Sequence, residues 1–151
     1  MENAIIENIE RLYKGHIINL LLSLVLVAVT GLLVAGIVKF KILNARWKNI
    51  ALVSLVAVCS VALLLLQISK LVPVYKDYTE QSYVVVENAE VVIKESTVDM
   101  SDRVNRVVVY DGEKEFELQM QIDHSLYTWF GYKGKIAYLE HSNYMIWYDF
   151  E

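Results

Sequence analysis

Two long stretches without a single charge dominate this chain. The first runs from Ile17 to Val38, 22 residues, and the second from Ile50 to Ser69, 20 residues. At about 1.5 Å of rise per residue each makes a helix of roughly 30 Å, the thickness of a bilayer's hydrocarbon core. A buried helix of a soluble protein rarely needs such a length without a charged face, so both stretches read as transmembrane helices. A cleaved signal peptide fits the first one poorly. Its apolar run exceeds the usual core of a signal, about 7–15 residues. The residues before it carry Glu2, Glu7 and Glu10 against Arg11 and Lys14, so they do not form a basic leader. A lipoprotein signal around Cys59 fails because bulky Val58 precedes the cysteine. With one cysteine there is no intrachain disulfide, and any domain outside the bilayer must be held by its own core.

Charge divides the chain unevenly. Residues 1–16 hold two basic and three acidic side chains. Residues 39–49 hold Lys39, Lys41, Arg46 and Lys48 with no acid, net +4, and residues 70–151 hold 8 basic and 15 acidic side chains, net −7. Short basic loops stay in the cytoplasm. This places the 39–49 loop inside, both termini outside, and the chain in the plasma membrane as a multi-pass protein. So short a loop also makes the two helices antiparallel neighbours.

Six segments follow from these patterns. Residues 1–16 read as an amphipathic interfacial helix, with Ile5, Ile6, Ile9, Leu12 and Tyr13 recurring at spacings of 3 and 4. Residues 17–38 and 50–69 are the spans, joined by the cytoplasmic loop 39–49. Residues 70–81 form a juxtamembrane linker in which Pro73 closes the second helix. Residues 82–151 form an extracytoplasmic β-rich domain. Its strands are expected at Tyr83–Val86, continued from Ala89 to Lys94 after a break at Asn88, then at Val104–Tyr110. A turn at Asp111-Gly112 leads to a strand alternating Phe116, Leu118, Met120 and Ile122 with Glu115, Glu117, Gln119 and Gln121. A last hairpin, Lys135–Glu140 with Tyr144–Phe150, follows the loop 123–134. Five or six short strands in so few residues suggest a small antiparallel β-sandwich or partly open β-barrel behind a two-helix transmembrane hairpin.

Motifs for chemistry are sparse. Asp123-His124-Ser125 brings the residue types of a hydrolase triad together, but neighbours in sequence do not converge as a triad requires, so a polar turn is the expectation. His16, His124 and His141 lack cysteine or carboxylate at ligand spacing, which gives no support to zinc or any other metal. The carboxylates Glu87, Glu90, Glu95, Asp99 and Asp102 lack the spacing of a Ca²⁺ loop and read as a solvated surface. No glycine-rich phosphate loop is present and the domain is acidic, so neither a nucleotide cofactor nor nucleic acid is expected. Neither span contains a charged residue, unlike the core of a transporter or proton pump. The chain therefore reads as a non-enzyme without a cofactor.

Two features point to partners besides the lipid bilayer. Tyr127, Trp129, Phe130 and Tyr132 crowd the stretch 124–134, and Trp147 lies out of phase with the rest of its strand. Such rings can anchor a protein interface, rest on lipid headgroups, or close the end of a small core. In the first span Ala28, Gly31, Ala35 and Gly36 make a small-residue patch suited to close helix packing, either of the hairpin on itself or with another membrane protein or a second copy. The layout resembles that of many small membrane proteins of bacteria, an analogy of architecture that does not specify function. The expected role is a membrane-anchored binding protein that displays an acidic β domain outside the cell, for immunity-type neutralisation of a toxin or recognition of another, basic, protein. The alternative is an accessory or docking subunit of a larger transport or secretion complex, acting through its helices.

Overall fold

The computed structural model describes residues 1–40, 47–94, 104–112, 114–121 and 131–150. Two helices come first, α1 (Glu2–Phe40) and α2 (Trp47–Glu80). Five strands follow: β1 (Tyr83–Lys94), β2 (Val104–Asp111), β3 (Lys114–Gln121), β4 (Gly131–Leu139) and β5 (Met145–Phe150). The chain divides into two compact units. One holds Met1–Arg11 with Pro73–Glu151, and the other holds Leu12–Val72.

In the Leu12–Val72 unit both helices are long and apolar enough to cross a membrane. Their burial is inverted relative to a soluble protein. Large aliphatic side chains face outward, among them Leu32 at 73% exposure, Val58 at 67% and Leu22 at 63%. The hidden positions instead carry His16, Thr30, Ser60 and Gln67. On α1 a stripe of covered or half-covered side chains runs through Leu12, His16, Asn19, Ser23, Val27, Thr30 and Val34, spaced by steps of 3 or 4. On α2 they are Val53, Ala57, Ser60, Leu64, Gln67 and Leu71, spaced in the same way. This is the seam of two helices packed side by side. Hydroxyls on the seam satisfy themselves within their own helix: Ser23 donates to the Asn19 carbonyl at 2.9 Å, Thr30 to Leu26 at 2.9 Å and Ser60 to Val56 at 2.8 Å.

The other unit is a single antiparallel sheet in the order β3-β2-β1-β4-β5. Among the described residues it is one five-stranded sheet, not a two-sheet sandwich, and it is not closed into a barrel. The edge strands meet at one isolated bridge, Gln119 with Tyr144, where the Gln119 amide donates to the Asn143 carbonyl at 2.8 Å. The helix ends belong to the same unit, and their Ile5, Ile9 and Val74 are buried. Each such side chain contributes about 1.5–3 kcal/mol when fully hidden. The core side of the sheet carries Val91, Ile93, Val107, Val109, Leu118 and Ile136, flanked by Phe116, Tyr132, Tyr138, Tyr148 and Phe150.

Several boundaries differ from the sequence expectation. No break separates residues 1–16 from the first span, since α1 is continuous. Pro73 does not end the second helix. It lies inside α2, which continues to Glu80 through the expected linker. Proline removes one N–H and crowds the preceding turn at a cost of about 3 kcal/mol. Burial of Val74 and Asp77 just beyond it offsets that cost. The expected break at Asn88 is a bulge in a continuous strand: Val86 pairs with Ile136 and Ala89 with Gly134, so Glu87 and Asn88 together oppose Lys135. A second irregularity makes Ile146 the extra residue of β5, between the pairs Ala137–Trp147 and Tyr138–Met145. It shifts the phase of the strand, so Met145 joins the core instead of Ile146.

Candidate functional site

On the face of the sheet opposite the core, the alternation of β1 to β5 sets out rows of polar side chains. One row runs Glu115, Tyr110, Glu90, Lys133 across four strands. The next holds Glu87 and Asn88 of the bulge, then Lys135 and Asp149. Together Glu87, Asn88, Glu90, Lys133, Lys135 and Asp149 line a groove of about 650 Å³, floored by Ala89 and Gly134. That volume is within the usual range for ligand sites, roughly 300–1,000 Å³, though this lining is far more polar than most.

The electrostatics follow from the pairing. Lys133 Nζ lies 3.6 Å from Glu90 Oε2, and Lys135 forms an ion pair with Glu87. The Glu87 carboxylate, hydrogen-bonded to Lys135, holds that ammonium above its ordinary range. These pairs are exposed, with side-chain exposures of 49–76%, so each contributes little to stability and can exchange for an external charge. Asp149 sits across from Lys135 as a third carboxylate. Gly134 makes the floor possible. A Cβ there would stand 2.1 Å from the Asp149 carbonyl oxygen. On the core side the bare glycine is covered by its cross-strand partner Phe150, which stacks on Tyr132 at 5.0 Å and on Tyr148 at 4.8 Å.

A second polar cluster ties the sheet to α2. Asp77 is fully buried, and its two carboxylate oxygens accept from the backbone amides of His141 and Ser142, each at 2.9 Å. Glu80 Oε2 lies 3.2 Å from His141 Nε2. From α1, the Asn8 amide donates to the carbonyl of the bulged Ile146 at 2.8 Å. The β4–β5 hairpin is thus gripped at its turn by one helix and at its bulge by the other.

The residues singled out from sequence are distributed otherwise. Tyr127, Trp129 and Phe130 lie outside the described residues, as do Asp123, His124 and Ser125. Tyr132 is the second residue of β4 and is turned toward the core, stacked on Phe150. Trp147 is half-buried on the opposite face, across from Ala137. In α1, Ala28, Gly31 and Ala35 are exposed and Gly36 half-buried, and no neighbouring atom lies within 4 Å of a Cβ built at Gly31 or Gly36. Of the acidic set, Glu87 and Glu90 line the groove, while Glu95, Asp99 and Asp102 lie outside the described residues. Among the described residues, no group of three or more His, Cys, Asp or Glu could hold a metal ion.

Sequence reasoning missed the groove, Asp77 and Asn8. The groove had one legible signal, the interruption of two β-prone runs at Glu87-Asn88. Asp77 and Asn8 had none, because their roles depend on helices extending beyond the apolar runs. No protein-family model, curated protein or solved structure matches the chain.

Proposed function

We propose that this protein is a membrane-anchored, non-enzymatic binding protein. Its two helices cross the plasma membrane as a hairpin, and its acidic sheet unit stands outside the cell to engage another protein. The observation that carries this reading is the inverted burial of the helices. Leu and Val side chains line the outside while His, Ser, Thr and Gln are hidden, an arrangement water would penalise and lipid would favour. Two further points support it. The hydrogen bond from Asn8 to Ile146 supports an even number of crossings, with the N-terminus and the sheet on one side of the membrane. The basic stretch between the helices, Lys39 to Lys48, favours the cytoplasm and so puts the sheet outside.

Anchoring raises the local concentration of the sheet unit where a partner arrives at the membrane, and its net negative charge attracts a basic one. Immunity-type neutralisation of a toxin fits these properties. A second reading, a docking subunit that works through its helices, is favoured by the exposed patch Ala28, Gly31 and Ala35, which remains open to a further helix or a second copy. One experiment addresses both. The tagged chain is expected to stay with the membrane in alkaline carbonate, to need detergent for release, and to carry a partner through purification. Gly31→Leu, placed where a Cβ meets open space, leaves the hairpin intact. If it strips the partner away, the helices hold it. If capture persists, the sheet unit does. A chain soluble without detergent contradicts the anchored reading.

A further inference from the structure

We infer that the groove over the β1 bulge is the docking site for a lysine- or arginine-bearing extended segment of a protein partner, a proposal that rests on the binding-protein reading above. Three observations lead to it. The groove is a formed concavity beside the bulge at Glu87 and Asn88, where the close approach of β4 and β5 at Gly134 forms part of its floor. Its charges carry an acidic surplus, with Glu87, Glu90 and Asp149 against Lys133 and Lys135. Each lysine is already committed to a glutamate, and Asp149, for which no ion pair of its own is seen among the described residues, adds its negative charge beside Lys135.

The resident lysines act as placeholders. An incoming guanidinium or ammonium first meets Asp149, then displaces Lys135 from Glu87 and Lys133 from Glu90. The lysines swing into water, at small cost because exposed pairs of this kind contribute under about 1 kcal/mol each. A guanidinium gains more than it displaces, since its planar fork can bond a carboxylate through two donors at once. The sheet unit as a whole helps, because residues 70–151 carry a net charge of −7 that draws a basic segment toward it.

The sign of the ligand charge gives the test its force. A dye-labelled, capped peptide of alternating arginine and serine is titrated against the full chain in detergent micelles at low salt, with binding followed by fluorescence anisotropy. Asp149→Asn combined with Glu90→Gln is expected to weaken binding by about tenfold, equivalent to roughly 1.4 kcal/mol. Lys133→Gln combined with Lys135→Gln is expected to tighten it severalfold, because the carboxylates are released from their internal partners. Asp111→Asn combined with Glu2→Gln removes the same charge elsewhere and is expected to change binding little. The proposal is overturned if the wild-type chain ignores the peptide, if the lysine-free variant binds more weakly, or if the control variant loses as much as the groove variant. Membrane retention of the same proteins is scored separately. A chain that stays in the membrane yet ignores the peptide refutes the groove alone. One that leaves the membrane without detergent refutes the anchored reading, whatever the peptide does.

Discussion

Asp77→Ala is expected to lower the stability of the sheet unit by about 2–3 kcal/mol, because it strands two backbone amides whose acceptor among the described residues is this carboxylate. The amides of His141 and Ser142 point at separate oxygens of Asp77, each at 2.9 Å. A charged acceptor at such a distance makes a stronger bond than a neutral one. The turn they belong to is tight, with Asn143 at φ 55°, and it has few other ways of satisfying those donors. Asp77→Asn keeps one carbonyl acceptor and is expected to lose about half as much. Urea unfolding in detergent, followed by near-ultraviolet circular dichroism of the aromatic cluster, measures both. A loss below about 0.5 kcal/mol for the alanine variant would mean that water serves these amides as well as Asp77 does.

The second large effect is expected at Gly134. Its replacement by Ala puts a Cβ 2.1 Å from the Asp149 carbonyl oxygen and 2.9 Å from the Phe150 Cα. Both are backbone atoms of the paired strand and cannot rotate aside, so β4 and β5 must separate locally. The expected cost is about 3 kcal/mol or more, with loosening of the Tyr132–Phe150–Tyr148 stack that covers the site. Gly131→Ala supplies the contrast, since its nearest neighbour would be Glu90 Oε1 at 3.9 Å, and a change within about 0.5 kcal/mol is expected there. Equal losses at the two glycines would show that flexibility of β4, rather than close backbone approach, is what glycine supplies.

The sequence displays its strongest signals where one physical term acts alone. Uncharged length announced the two helices, and the alternation of Phe116, Leu118 and Met120 with glutamates announced β3 and its core face. Where two terms compete, the pattern misleads. Pro73 reads as a stop because its local cost is visible, whereas the compensating burial of Val74 and Asp77 depends on residues far along the chain. The stripe of Ile5 and Ile9 looks equally suited to a lipid surface and to a protein core, and only the described burial with the sheet distinguishes them. Strand count left a sandwich and a partly open barrel equally open, because the pairing that joins all five strands into one sheet is not written in any single strand. The candidate site was the least legible part. A bulge needs a partner strand to define it, and Lys133, Lys135 and Asp149 look like any wet strand face until Glu87 and Glu90 are set across from them.

A chain that crosses the membrane twice, as proposed, holds its first residues and its last hairpin together on the outer side. In a Cys59→Ser background, single cysteines at Glu2 and at Asn143, both exposed positions, are treated in intact cells with a membrane-impermeant maleimide. Labelling of both positions before lysis is the expected result. Labelling of one without the other, or of neither until the membrane is opened, would contradict it.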